Sequence, residues 1–251
     1  MSPDLFHTVV LYWTAVAPFT FVTLLFIAAP YGRHAWGGGP MLSARAGWMV
    51  MEVPAVVLMM AFFAIGTHQS DAASWAFLAL FEAHYIHRAI IYPLRMKGKR
   101  KPMPLFTALG GSTFQVINVS LMGWWLFTLA PTYGTGWFAD PRFLAGTAVF
   151  AIGFAINYRA DTVLLNLRKP GETEYKIPFG GLYRFVSCPN YLGEIVEWAG
   201  FALATWSMPA LAFALWTAAN LVPRALTNHK WYRAQFPDYP PERRAVLPFA
   251  L

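Results

Sequence analysis

Four sets of ionisable and amide side chains lie inside apolar sequence, most of them at helical spacing. Glu52 stands in "MVMEVPAVV". In "ALFEAHYIHRAIIYPLR", Tyr85 and Arg88 are three apart and His84 and Arg88 four apart, so the three share a helix face. Asn157, Asp161 and Arg168 form another stripe at offsets of four and seven, and Asn190, Glu194 and Glu197 another at offsets of four and three. Hydrocarbon offers such groups no water, and a charge at bilayer depth costs about 2.5–3.5 kcal/mol on insertion scales. Their recurrence on four segments predicts a polar cavity inside a helix bundle, open toward the cytosol. The alternative for any single residue is an interhelix hydrogen bond or ion pair: Asn157 with Asp161, or Glu194 and Glu197 with Arg88. His84 and His87 have the spacing of a metal pair, but the chain has only six histidines and no metal site is expected. Glu82 falls on a different face from Arg88.

The elements that must carry these stripes are apolar runs near 5–29, 46–66, 72–94, 105–130 and 142–166. A further stretch, about 190–226, is too long for one helix and is interrupted by "WSMPA", where Met208-Pro209 can start a new one. The first run follows Asp4 without a basic leader or a cleavage site and reads as a retained helix. Only 12% of the chain is charged and 57% is hydrophobic, against about 25% charged in soluble domains. Lipid must therefore be part of the solvent. Alternate connections carry the cations. One set holds Arg33 and Arg45, then the cluster from Arg95 to Lys101, then Arg168, Lys169, Lys176 and Arg184, while the other holds only Arg142. This is the positive-inside pattern. The expected fold is all-α: one polytopic domain over 1–251 with seven transmembrane helices, N-terminus outside and C-terminus cytosolic. The net charge of +7 lies in short clusters rather than one stripe, which argues against nucleic acid. Cys188 is the only cysteine, so no disulfide within the chain is possible.

Two cytosolic segments have their own character. "LRKPGETEYKIPFGGLYRFVSCPN" sets cations and tyrosines among prolines and glycines, which suits either a lipid headgroup contact or a phosphate grip. The tail "NHKWYRAQFPDYPPERRAVLPFAL" ends apolar and is expected to pack back on the bundle. Gly37-Gly38-Gly39 before Pro40 reads as a flexible turn, and no G-x-G-x-x-G follows a strand.

"LRKPGETEYKIPFGGLYRFVSCPNYLGEIVEW", "FALATWSMPALAFALWT" and "HKWYRAQFPDYPPERRAVLPF" resemble the steroid 5α-reductase family, and "APYGRHA", "MEVPA" and "HYIHRAIIYPLR" resemble its N-terminal half. The resemblance implies a seven-helix membrane oxidoreductase that uses NADPH, held without a Rossmann domain, to reduce the Δ4 double bond of a 3-oxo steroid. It implies substrate-side helices over about 1–104 and a cofactor-binding part over about 105–251. By resemblance, Glu52 and Tyr85 match the catalytic pair facing the 3-keto oxygen. Arg88, Asn157, Asp161, Arg168, Tyr175, Lys176, Asn190, Glu194, Trp198, His229 and Tyr232 match the cofactor cradle. Met51 stands where a glutamine is often found, Lys176 where an arginine is usual, and Asn228 replaces one of two adjacent histidines.

Enone reduction suits these residue types. The β-carbon accepts hydride only when the carbonyl oxygen can take up negative charge, and donors aimed at that oxygen act as an oxyanion hole. Tyr85 supplies an O–H; Glu52 donates only in its neutral form, or else orients Tyr85 as a carboxylate. The other readings are an isoprenylcysteine-type methyltransferase using S-adenosylmethionine, which has no use for the Glu52–Tyr85 pair, and a proton-coupled transporter. Expected partners are a steroid or related lipid enone and membrane lipid, with no nucleic acid and no obligate protein partner. The compact loops favour a bacterial inner membrane; in a eukaryote the membrane would be the endoplasmic reticulum.

Overall fold

The computed structural model describes residues 2–30, 32–34, 39–97, 100–168, 172 and 174–251. Gly37, Gly38, Lys99 and Lys169, named above, lie outside the described residues. The first helix, α1 (Pro3–Phe26), opens on Ser2, whose side chain accepts from Leu5 N–H, with Pro3 and Asp4 in its first turn. Ser43 caps α2 (Ala44–Ile65) and Asp71 caps α3 (Ala72–Ile86) in the same way. The α3 axis continues through a π-helical stretch, His87–Ile91, into the short α4 (Tyr92–Arg95). After it come α5 (Leu105–Trp124), itself extended by a π-helical stretch, and α6 (Pro141–Asn166), capped by Asp140. The last two are α7 (Pro189–Thr205) and α8 (Met208–Gln235).

Each expected run is thus helical within a few residues until α8, which continues nine residues beyond the expected end at 226. The break at "WSMPA" falls at Trp206, whose φ of 44° ends α7 in the left-handed region before Met208-Pro209 restarts the chain. Residues Pro3–Phe26, Ala44–Ile65, Leu105–Leu129 and Pro141–Asn166 are long and apolar enough to cross a membrane. The chain is a helical membrane protein. One small feature has no signal in the residue pattern: β1 (Met41–Leu42) pairs antiparallel with β2 (Met103–Pro104), tying the entry of α2 to the entry of α5.

The closest packing is between α6 and α7, which run antiparallel. A methyl group at Gly153 would strike the backbone of Glu197, and one at Gly193 would strike the backbone of Asn157. Only glycine lets the two backbones approach this far. That approach carries the polar stripe of α6 onto the polar start of α7. Beneath it, Phe81, Trp198, Phe201 and Phe213 form an aromatic core joining α3, α7 and α8. The tail packs back as expected. Ser187 and Cys188 donate their N–H groups to Arg244 and Ala245 carbonyls, and Val246 is fully buried.

Candidate active site

The π-helical stretch after α3 inserts an extra residue into the turn that holds Arg88, a distortion often found at functional sites. Its guanidinium gathers the polar stripes of α6 and α7. Nη1 donates to Asp161 Oδ2 at 2.8 Å and Nη2 donates to Glu194 Oε2 at 2.5 Å. Nη2 also reaches Asn157 Oδ1 at 3.4 Å. Asn190 donates to the other Asp161 oxygen at 3.1 Å, and Asn157 donates to the Asn190 carbonyl at 2.9 Å. A single cation between two carboxylates, each further hydrogen-bonded, keeps this buried cluster satisfied.

One helical turn before Arg88, Tyr85 is buried against Phe81, His84 and Trp198. Its hydroxyl donates to Gln115 Oε1 at 3.0 Å, and Gln115 Nε2 donates to Glu52 Oε2 at 2.7 Å. The two residues expected to act as a pair are therefore joined through a third, from α5. His84 Nδ1 meets Glu197 Oε1 at 2.9 Å, so Glu197 engages His84 and not Arg88. His87 faces Phe154 and Tyr158 of α6, so the two histidines of H-x-x-H look toward different neighbours.

These groups surround a cavity of about 850 Å³. That is near the upper end of the roughly 300–1,000 Å³ of small-molecule sites. At its inner end stand Glu52, Tyr85 and Gln115 with apolar Phe114, Phe213 and Trp216. At its mouth stand Arg33, Arg100, Lys101, Arg168 and Lys176 around Tyr175. Arg33 lies over Trp231 at 4.4 Å and Tyr232 at 4.5 Å, and Arg168 lies over Tyr175 at 5.1 Å. Burial, with Arg100 close by, holds Arg168 below the usual guanidinium range. His34 is held below the usual imidazole range by burial and by Arg33, Arg224 and Lys101. Cations crowd one another here, and a bound anion relieves that repulsion.

Residues 101–251 match the family model described as 3-oxo-5-alpha-steroid 4-dehydrogenase. The chain belongs to the 3-oxo-5-alpha-steroid 4-dehydrogenase family. It is 44% identical over 234 residues to 3-oxo-5-alpha-steroid 4-dehydrogenase 1 of Bos taurus, covering 91% of this chain and 90% of the relative. To the steroid 5-alpha-reductase DET2 of Gossypium hirsutum it is 40% identical over 250 residues, covering 98% and 97%. To 3-oxo-5-alpha-steroid 4-dehydrogenase 1 of Homo sapiens it is 42% identical over 222 residues, covering 87% and 85%. The family is one of oxidoreductases.

Within this family member, most of the residues named from the resemblance line one cavity: Glu52, Tyr85, Arg88, Asp161, Arg168, Tyr175, Lys176, Asn190, Glu194 and Tyr232. Asn157, Trp198 and His229 stand behind its wall. Asn157 holds Arg88 and Asn190, Trp198 backs Tyr85, and His229 Nδ1 meets Ser187 Oγ at 2.6 Å. Sequence reasoning missed Gln115 and Arg33. Gln115 had a signal, an amide in the otherwise apolar run 105–130. Arg33 had only its charge and its place in "APYGRHA", since Trp231 and Tyr232 are brought to it only by folding.

Proposed function

We propose that this protein reduces the Δ4 double bond of a 3-oxo steroid, or a related lipid enone, with NADPH as reductant. The observation carrying this reading is one cavity with two unlike ends: a Glu–Gln–Tyr polar group between aromatic walls, and a mouth rich in arginine and lysine. The dinucleotide fits the residues present. Arg33, at the mouth, has a buried Nη1 atom with no hydrogen-bond partner among the described residues, and the crowded cations around it suit phosphates. Arg33, Arg168, Lys176 and Tyr175 would hold the phosphate-bearing part. Arg88, Asp161, Asn190 and Glu194 would hold the polar groups deeper in. Bound there, NADPH would be the source of hydride for the β-carbon.

The chain's own groups prepare the carbonyl. Tyr85, with Glu52, would face the 3-keto oxygen, where a hydroxyl turned toward it would meet the negative charge that develops. The removal of one such donor typically costs about 10²–10³ in kcat. A proton added at the α-carbon completes the reduction. The aromatic inner end admits a steroid from lipid, while the cationic mouth admits the cofactor from water. Such an arrangement draws on both halves of the chain, with Glu52 and Tyr85 beside Gln115, Phe213 and Trp216 at the inner end and Arg33 and Lys101 beside Arg168 and Lys176 at the mouth. It also requires the mouth to face the cytosol. We accordingly place the chain as seven crossings with the N-terminus outside, counting the more polar α3–α4, α7 and α8 as spans lined by protein.

The experiment is purification in mild detergent, identification of the bound nucleotide, and assay with a 3-oxo-Δ4 steroid. NADPH binding and loss of turnover in both Tyr85→Phe and Glu52→Ala, with the nucleotide still bound, are expected. S-adenosylmethionine in the site would replace this reading with methyl transfer.

A further inference from the structure

We infer that Gln115 is a positioning residue that couples the protonation of Glu52 to the direction of the Tyr85 hydroxyl. The inference rests on the reading of Tyr85 as the donor to the substrate carbonyl. Its starting point is a limit of chemistry: a phenol has one proton to give. In the structure that proton goes to Gln115 Oε1 at 3.0 Å, while Gln115 Nε2 donates to Glu52 Oε2 at 2.7 Å. Tyr85 so arranged cannot also donate to a ketone, and Glu52 acts as an acceptor.

A side-chain amide has an acceptor at one end and donors at the other, and a half-turn about its last bond exchanges them. After that turn Nε2 donates to the Tyr85 oxygen and leaves the Tyr85 proton free for the substrate carbonyl. Oε1 then faces Glu52. A neutral Glu52 satisfies it with an O–H; an ionised Glu52 sets two acceptors against each other. In a buried site an unmade hydrogen bond of this kind is not repaid by water. The substrate-facing arrangement therefore belongs to neutral Glu52. In it the donor entering the Tyr85 oxygen also strengthens the O–H that leaves it. No covalent bond is made or broken in the exchange.

The fold keeps Gln115 within reach of both partners. A methyl at Gly111, one turn earlier, would strike the Met51 side chain, and Ser112 Oγ bonds the Val50 carbonyl, so α5 lies tightly on α2 beside Glu52. Gln115 itself is buried. The charged groups that bear on Glu52 are Arg88 and Glu194 from the central cluster and Arg224 from α8; Arg88 and Glu194 also bear on Tyr85. None is altered by a change at Gln115.

The test compares Gln115→Leu and Gln115→Glu, with kcat, steroid KM and nucleotide affinity measured from acid to alkaline pH. Gln115→Leu should lose about tenfold to a hundredfold in kcat at every pH, with nucleotide affinity kept, because Tyr85 has lost its director. Gln115→Glu should behave differently. A neutral carboxyl at this position offers one donor and one acceptor, as the amide does, whereas a carboxylate offers acceptors alone and captures the Tyr85 proton. Its activity should therefore recover toward acid pH, with the alkaline fall displaced to lower pH than in the wild type. Wild-type kcat in Gln115→Leu overturns the inference. A Gln115→Glu profile that parallels the wild type, at any level of activity, overturns it too, because a merely space-filling glutamine predicts that result. The acid recovery is read on one preparation, so it also demonstrates that Gln115→Glu is folded. If the wild type itself reduces no enone, the fault lies with the proposed function and not with Gln115.

Discussion

Arg88 and Asp161 meet at 2.8 Å between the π-helical stretch after α3 and the inner face of α6, with 6% and 1% of their surfaces exposed. Asp161 and Glu194 together offset the buried Arg88 charge. Breaking such a pair by removing one partner typically costs about 3–5 kcal/mol, whereas replacing both with apolar residues is often neutral. Asp161→Leu should therefore lower the melting temperature in detergent sharply, and replacing all three charges, Arg88→Met with Asp161→Leu and Glu194→Gln, should restore most of it. If the cluster also holds the cofactor, the restored variant will bind no NADPH. Nucleotide affinity equal to wild type in that variant would reject the binding role.

Gly193 and Gly110 should respond oppositely to an added methyl. Gly193→Ala drives a methyl into the Asn157 backbone, and overpacking of this kind costs about 1–3 kcal/mol. It should also weaken nucleotide binding, because it spreads Asn157 and Asp161 from Asn190 and Glu194. Gly110→Ala in α5 meets nothing within 4 Å and should stabilise the helix by about 0.5–1 kcal/mol. Thermal unfolding of both variants in the same detergent checks the two signs.

Much of this architecture was legible because a membrane enforces simple rules. The apolar runs gave the helix bounds to within a few residues, and "WSMPA" gave the break at Trp206. The stripes at spacings of three and four gave the inward faces of α3, α6 and α7. What stayed hidden was partner choice across helices. Glu197 and Glu194 lie on one face of α7, yet Glu197 goes to His84 and Glu194 to Arg88. Only the depth at which α3 crosses α7 decides that, and the one-residue shift of the π-helical stretch is silent in the sequence. Gln115 was overlooked for a related reason: a lone amide in an apolar helix acquires meaning only when two other helices bring it a carboxyl and a phenol.

Trp198 is expected by resemblance in a cofactor cradle, but it stands behind Tyr85 at 5.5 Å between ring centres and is buried away from the cavity surface. Trp198→Leu should lower kcat through a less confined Tyr85 and leave NADPH affinity within about twofold, an effect of packing behind a donor. Titration of the variant with NADPH, followed by fluorescence, separates the two roles. A loss of affinity without a loss of kcat would return Trp198 to the cofactor.

Arg168, among the cations at the mouth, is the candidate reader of the cofactor's 2′-phosphate. A fork-shaped guanidinium grips phosphate through paired hydrogen bonds. Arg168→Ala should weaken NADPH by about tenfold or more while changing NADH little, the loss expected of one charge-assisted contact. Equal losses for both nucleotides would assign that phosphate to another cation of the mouth.

The single thiol offers a reporter on the same cavity. Cys188 lies in the cavity wall just before α7, and burial pushes its thiol up to about 11 from an ordinary value of 9.0, with Arg33 acting the other way. The thiolate is the reactive form, so at pH 8 only about one molecule in a thousand is poised to react. N-ethylmaleimide should therefore label the folded protein slowly, with a rate that climbs about tenfold per pH unit until pH approaches about 11. Unfolding in SDS returns the thiol to its ordinary range and should give rapid, complete labelling at this one site. Bound NADPH should slow the folded-state reaction further, because Cys188 shares the cavity with Arg33 and Tyr232. Mass spectrometry of the intact chain reads all three rates. Rapid labelling of the folded protein at pH 7 would mean that the wall around Cys188 opens far more readily than its burial indicates.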